Sequence, residues 1–219
     1  MDSREFVKQL RGEMDEIFAK LGERQTLEAE SEGNVDVVTL LKLALKSEIE
    51  ASELAGYWMP STSEIDVKMA FAQQCGDEMK HYNLILQRLT ELGEDMSGYD
   101  PTVEGYSPLY QYLSGLRTTV ERVAGGPFAR EAVAEIRNAQ FIEFCRAVGD
   151  EGTAKLYVDI IHPDEIHHHR MGYELLEKYA LTEEQQALAA TTVRSSLAIA
   201  DELRTLAERA TGLHSIPVS

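Results

Sequence analysis

The chain has little from which to build a disulfide framework, a membrane span or a basic surface. Cysteine occurs only at Cys75 and Cys145 in 219 residues, both in stretches of helical period. No covalent scaffold is expected, and a reducing, cytoplasmic setting is the default. No run of about 20 apolar residues is available to cross a bilayer, and residues 1–10 are too polar for a secretory signal. Positive charge is scarce: 21 Lys and Arg stand against 38 Asp and Glu, a formal net charge of −17. A surface that acidic repels phosphate backbones and anionic lipid heads, which argues against nucleic-acid and membrane partners. Sustained strand alternation is missing, and so is any glycine-rich nucleotide or flavin motif. Histidine, by contrast, is concentrated: four of the six fall between His162 and His169.

What is present is helical period almost throughout, so an all-α fold is expected, built as one domain over residues 1–219. An N-terminal helix is expected over residues 3–24, followed by a polar stretch at 28–33. The next helix covers about 34–59 and stops at Pro60. Ser61 and Glu64 have capping-box spacing and open a helix that reaches Leu92 and ends at Gly93. Residues 94–107 form a crossover, and a shorter helix covers about 108–123. Gly125-Gly126-Pro127 is expected to break the chain before a helix over 128–148. A fourth long helix covers 153–179, with Pro163 predicted to kink it. Thr182 and Gln185 form a second capping box, opening a last helix to about residue 210. Two tight helical hairpins joined by one long crossover, over about 34–180, match the topology of a ferritin-like four-helix bundle. The terminal helices are placed to cover that bundle or to mediate self-association.

Two segments share the pattern D-E-x-x-H: Asp77-Glu78-Met79-Lys80-His81 and Asp164-Glu165-Ile166-His167-His168. Positions i and i+3 lie on one helix face, so Glu78 with His81, and Glu165 with His168, can hold one ion from the same side. Carboxylate oxygen and imidazole nitrogen suit Fe(II), Mn(II) or Zn(II). Asp77 and Asp164 point elsewhere and are candidates to orient a ligating histidine through its other ring nitrogen. Phe71, Cys75, Ile85 and Leu89 share a face with Glu78, and Ile161, Gly172 and Leu175 share one with Glu165. A carboxylate held in an apolar stripe is costly unless it is paired or metal-bound. His162, His167 and His169 fall on other faces and are read as a polar flank.

A two-metal site of this kind needs one further carboxylate from each partner helix. Residues equidistant from the turn of an antiparallel hairpin stand level, which selects Glu48 opposite Glu78 and Glu135 opposite Glu165. The two pairs share the same sequence separation. Glu50 and Glu53 are assigned to a solvated face; Glu131 is one turn too far from the hairpin turn, and Glu143 too near it. Four glutamates and two neutral histidines carry four negative charges, which two divalent ions cancel.

With Glu48, Glu78-x-x-His81, Glu135 and Glu165-x-x-His168, the chain resembles the ferritin-like diiron-carboxylate superfamily. His167-His168-His169-Arg170-Met171-Gly172 and the later Leu175-Leu176-Glu177-Lys178-Tyr179-Ala180 are similar to the phenylacetyl-CoA oxygenase subunit family. The resemblance covers about residues 34–180. It implies two iron ions, with manganese or a mixed manganese–iron pair as variants. It also implies an oxidase or oxygenase that activates dioxygen for a small organic or acyl-thioester substrate. Electrons would come from a separate reductase or from the substrate, and a small homo-oligomer, a dimer in the simplest case, is expected. The alternatives are an iron-handling or peroxide-scavenging protein, and a non-catalytic subunit of an oxygenase complex. Some resembling subunits lose ligands, whereas here a full set is found.

Overall fold

The computed structural model describes residues 1–22 and 36–211, and all regular structure among them is helical. The polar stretch at 28–33 and the predicted ends at 24 and 34 lie outside the described residues. Helix α1 is Ser3–Gly22 and α2 is Val37–Trp58, the latter capped by Asp36, whose side chain accepts from Thr39 N. A 3-10 turn, Met59–Ser61, leads into α3, Ile65–Glu91. The expected Ser61/Glu64 capping box does not form. Ser61 Oγ donates back to Trp58 O, and the Glu64 carboxylate accepts instead from Thr119 Oγ1 at 2.6 Å. Thr182 and Gln185 do form theirs, each side chain accepting from the other's backbone amide, at 3.2 and 3.0 Å.

The crossover contains α4, Pro108–Ser114, and is fastened to α2 by a group that the sequence places on a solvated face. Glu50 is buried, and its two carboxylate oxygens accept from Ser107 N at 2.7 Å and Ser107 Oγ at 2.5 Å. Chain connectivity explains the difference: a long strap leaving the end of α3 must be tied down, and Glu50 faces the strap rather than water.

The second hairpin departs from expectation in one instructive way. Gly125-Gly126-Pro127 does not break the chain. Helix α5 (Thr119–Val123), a π-helical stretch (Ala124–Arg130) and α6 (Glu131–Ala147) follow one another without interruption. After the tight turn at Gly149, whose φ of +81° favours glycine, α7 (Glu151–Leu156), a second π stretch (Tyr157–Ile161) and α8 (His162–Tyr179) do the same. Proline lacks an amide hydrogen and its ring collides with the carbonyl four residues back; a turn widened by one residue relieves both problems. Pro127 lies inside the first π stretch and Pro163 directly after the second. The kink expected at Pro163 is thus met by a π turn. Helix α9, Glu183–Thr211, is the last described element.

Four helical rods, α2, α3, α5–α6 and α7–α8, each contribute to two separate apolar cores. One core contains Leu54, Trp58, Val67, Phe71, Phe128, Ala132, Leu175 and Leu176, and α1 and α9 cover it through Val7, Leu10, Met14, Ala189 and Val193. The other contains Leu41, Leu45, Ile85, Leu89, Phe141, Cys145, Tyr157 and Ile161. Between the two, on every rod, comes a short polar interval: Glu48, then Glu78 and His81, then Glu131, then Glu165 and His168, all buried. Close approach of the rods is set in part by Gly172. A Cβ there would stand 2.5 Å from Pro127 C and 2.6 Å from Phe128 N, so α8 lies against the backbone of the first π stretch. No described helix is long and apolar enough to cross a membrane.

Candidate metal centre

The polar interval converges on two overlapping groups of ligand atoms. Glu48, Glu78, His81 and Glu165 form one, and Glu78, Glu131, Glu165 and His168 the other, with the ligand atoms of each group within 4.8 Å of one another. Glu78 and Glu165 belong to both. His81 Nδ1 lies 3.2 Å from Glu78 Oε2 and 3.7 Å from Glu165 Oε1. His168 Nδ1 lies 3.6 Å from Glu78 Oε1 and 3.6 Å from Glu165 Oε2. Each of these two carboxylates therefore turns one oxygen toward each histidine. Glu48 Oε2 closes the first group, 3.4 Å from His81 Nδ1.

Both imidazoles present Nδ1 inward and Nε2 outward. His81 Nε2 donates to Asp164 Oδ2 at 3.0 Å, and His168 Nε2 donates to Asp77 Oδ2 at 3.2 Å. With each Nε2–H bound to a carboxylate, Nδ1 is turned into the layer: that of His168 has no hydrogen-bond partner, and that of His81 shares a proton with Glu78 at 3.2 Å, which a cation would displace.

Of the six ligands expected from the sequence, Glu48, Glu78, His81, Glu165 and His168 stand together. Glu135 does not join them. It is half-buried, one turn closer to the Gly149 turn, and Glu131 occupies the position assigned to it. The hairpin count set Glu131 aside as one turn too far from the turn; the unbroken rod from Thr119 puts it well inside the bundle. The signal was in the sequence: Val120, Val123, Ala124, Phe128 and Glu131 follow at helical spacing straight through the glycines and proline.

Two more residues of the site escaped sequence reasoning. Gln74, one turn before Glu78, is buried and donates to Glu131 Oε1 at 2.6 Å. Arg130 donates to the same oxygen at 2.6 Å. His169 also departs from the polar flank assigned to it: it is buried and donates from Nδ1 to Phe128 O at 2.8 Å, a carbonyl of the first π stretch. Burial, with Arg11 adding to it, pulls its pKa down to about 4, so it is a neutral tether.

Electrostatics show what the cluster demands. Burial and the neighbouring charge of Glu78 push Glu48 up to about 8. Glu165 is raised well above the usual carboxylate range by burial and by Glu78 and Glu131. Glu78 is held ionised: burial alone would raise it, but His81, Glu48 and the charge of Arg130 bring it down. Burial would lower His81, yet the Glu48 and Glu78 carboxylates lift it to about 11. A layer with so many acids could hold cations, and four of its atoms are placed to meet them. Glu48 Oε2, Glu131 Oε2, Glu165 Oε2 and His168 Nδ1 are buried without a hydrogen-bond partner. Such atoms are rare in folded proteins because each costs about 1–3 kcal/mol. A pair of divalent cations bound by nitrogen and oxygen satisfies all four, so the residues fit the group. Comparison with known proteins returns no match among protein-family models, curated proteins or solved structures.

Proposed function

We propose that this layer holds two divalent metal ions, iron in the first instance. With them the protein acts as an oxidoreductase of the ferritin-like diiron-carboxylate kind, using dioxygen to oxidise a small organic molecule or an acyl thioester. The observation that carries the reading is the division of labour in Glu78 and Glu165, each of which offers one oxygen to the His81 side and the other to the His168 side. Carboxylates so placed would bridge two ions. Their two terminal partners are Glu48 with His81, and Glu131 with His168.

When bound there, an Fe(II) pair would supply electrons to reduce dioxygen. The chain's own residues do the rest. Glu78 and Glu165 fix the spacing of the two positions. Asp164 and Asp77 keep His81 and His168 aligned through the charge changes of a redox cycle. The apolar cores on either side keep water out of the layer and raise the strength of every charge interaction inside it. Between α3 and α8, which carry the two D-E-x-x-H motifs, an open surface groove of about 660 Å³ has an apolar floor of Met69, Ala70, Met171 and Leu175 and a polar rim that includes Asp66, Gln73, Glu174 and Lys178. A small molecule with an apolar body and a polar end matches that lining. No glycine-rich cofactor motif is present in the sequence, so electrons for repeated turnover would come from a separate reductase or from the substrate.

The test is a single-turnover experiment. Protein loaded anaerobically with Fe(II) and then exposed to air is expected to consume dioxygen in proportion to its sites and to stop. Uptake and oxidation of iron far beyond two ions per chain, by a large assembly, would replace this reading with iron storage.

A further inference from the structure

The cluster has a fifth fixed charge that a count of ligands omits. Arg130 is the last residue of the first π stretch, and its side chain is nine-tenths buried. Its guanidinium spans the layer's edge: Nη1 donates to Glu131 Oε1 at 2.6 Å, while Nη2 donates to Ser47 O at 2.9 Å and Ser47 Oγ at 3.0 Å. Gln74 Nε2 takes the same Glu131 oxygen at 2.6 Å. Two donors on Oε1 leave Glu131 with Oε2 alone for a cation. The opposite terminal carboxylate, Glu48, has no arginine or lysine among its described ion pairs and meets only His81 there. The two halves of the layer are therefore unlike. Both have a glutamate, a histidine and the same bridging pair, but only one has a cation in direct contact with its terminal carboxylate.

We propose that Arg130 is a positioning residue that makes the two metal positions unequal. By occupying one oxygen of Glu131 and fixing a positive charge beside it, Arg130 leaves the Glu48/His81 position to take the first divalent ion, and the Glu131/His168 position to take the second, more weakly. The inference rests on the two-metal reading above and refines it. Guanidinium stays charged at any working pH, so its repulsion of a nearby dication is permanent. Its Nη1 lies 2.6 Å from Glu131 Oε1 and 4.0 Å from Glu78 Oε1, the oxygen that faces His168, so the charge sits at one end of the layer. One unit charge acting on a dication at closer range, together with a carboxylate limited to one oxygen, amounts to about a tenfold difference in affinity or more.

The experiment is a titration of the full chain with Co(II), a redox-inert probe under these conditions, followed by visible absorption and calorimetry. The wild-type protein is expected to bind in two resolved steps of one ion each, about tenfold or more apart. Glu131→Gln is expected to remove the weaker step and Glu48→Gln the tighter one. Arg130→Met, which keeps bulk and loses charge, is expected to tighten the weaker step until the two merge, whereas Arg130→Lys keeps them separated. Two indistinguishable steps in the wild type, loss of the tighter step in Glu131→Gln, or unchanged separation in a folded Arg130→Met would each overturn the proposal. If Arg130→Met fails to fold, the order of loss in the two glutamate variants still decides. Absence of any bound ion in the wild type would instead overturn the two-metal reading itself.

Discussion

Asp164 accepts a hydrogen bond from His81 Nε2 at 3.0 Å, and Asp77 accepts one from His168 Nε2 at 3.2 Å, so the aspartate of each D-E-x-x-H motif orients the histidine of the other. The exchange follows from helix geometry. An aspartate one residue before the glutamate points about 100° away from it around the helix, which here is toward the facing rod. Each motif is thus incomplete without its counterpart. Asp164→Asn is expected to weaken the His81-bound ion by about 10–100-fold, and Asp77→Asn the His168-bound ion by a similar factor, with the fold retained. Metal titration of the two variants checks this; equal loss of both ions in either variant would contradict the crossed arrangement.

Glu131 and Glu135 make a clean pair for mutation, since they lie one turn apart on the same rod. Glu131→Gln is expected to lose one of two bound ions, and Glu135→Gln to keep both. Elemental analysis after loading and gel filtration reads the difference. The opposite pattern would restore Glu135 as the ligand.

The all-α class and Glu78, His81, Glu165 and His168 of the cluster were legible because their signals are local, and Glu48 was legible from its level in the first hairpin. E-x-x-H spacing places two side chains on one face, and a capping residue or Gly93 marks where a helix ends. Glu131 was not legible from hairpin symmetry, because equal separation presumes equivalent turns. The Met59–Glu64 connection contains a 3-10 turn and extended residues, whereas Val148–Asp150 is a tight three-residue turn. Counted from the ends of their helices, Glu165 lies between the levels of Glu131 and Glu135, so spacing alone could not choose. Gly125-Gly126-Pro127 deceived for a different reason: propensity predicts a break, while packing of those residues against Trp58, Leu113 and Gly172 stabilises a π turn. Arg130 and Gln74 carry no sequence motif at all; only the folded rods bring them to one oxygen.

Gly172 is expected to tolerate no side chain. Gly172→Ala places a methyl 2.5–2.7 Å from Pro127 C, Phe128 N and Pro127 O, all backbone atoms that cannot swing aside. The variant should lose about 1–3 kcal/mol or more in stability as the rods are forced apart. Thermal unfolding measures it, and an unchanged midpoint would mean that α8 does not approach the π stretch so closely.

Away from the metal layer, Asp150 ties the second hairpin turn to α3. Its carboxylate accepts from Thr153 N at 3.0 Å and from Arg88 Nη2 at 2.7 Å, with the side chain only 14% exposed. Burial opposes ionisation, but the Thr153 bonds and the Arg88 charge outweigh it and hold the carboxyl below its ordinary value of 3.8. A group with a depressed folded pKa stabilises the fold above its unfolded pKa and loses that contribution as pH falls through the folded value. Asp150→Asn keeps the cap and removes the charge. It should cost about 1–2 kcal/mol at pH 7, and the gap to wild type should close as pH drops below about 4. A gap that persists unchanged in acid would assign the loss to packing rather than to charge.

The central claim is that Glu78 and Glu165 bridge two cations in one layer. Its most direct test is anaerobic Fe(II) loading of the full chain, followed by elemental analysis and Mössbauer spectroscopy of the oxidised sample. The account predicts two iron ions per chain, spin-coupled through shared ligands. Saturation at one ion, or two ions that show no coupling, would contradict it.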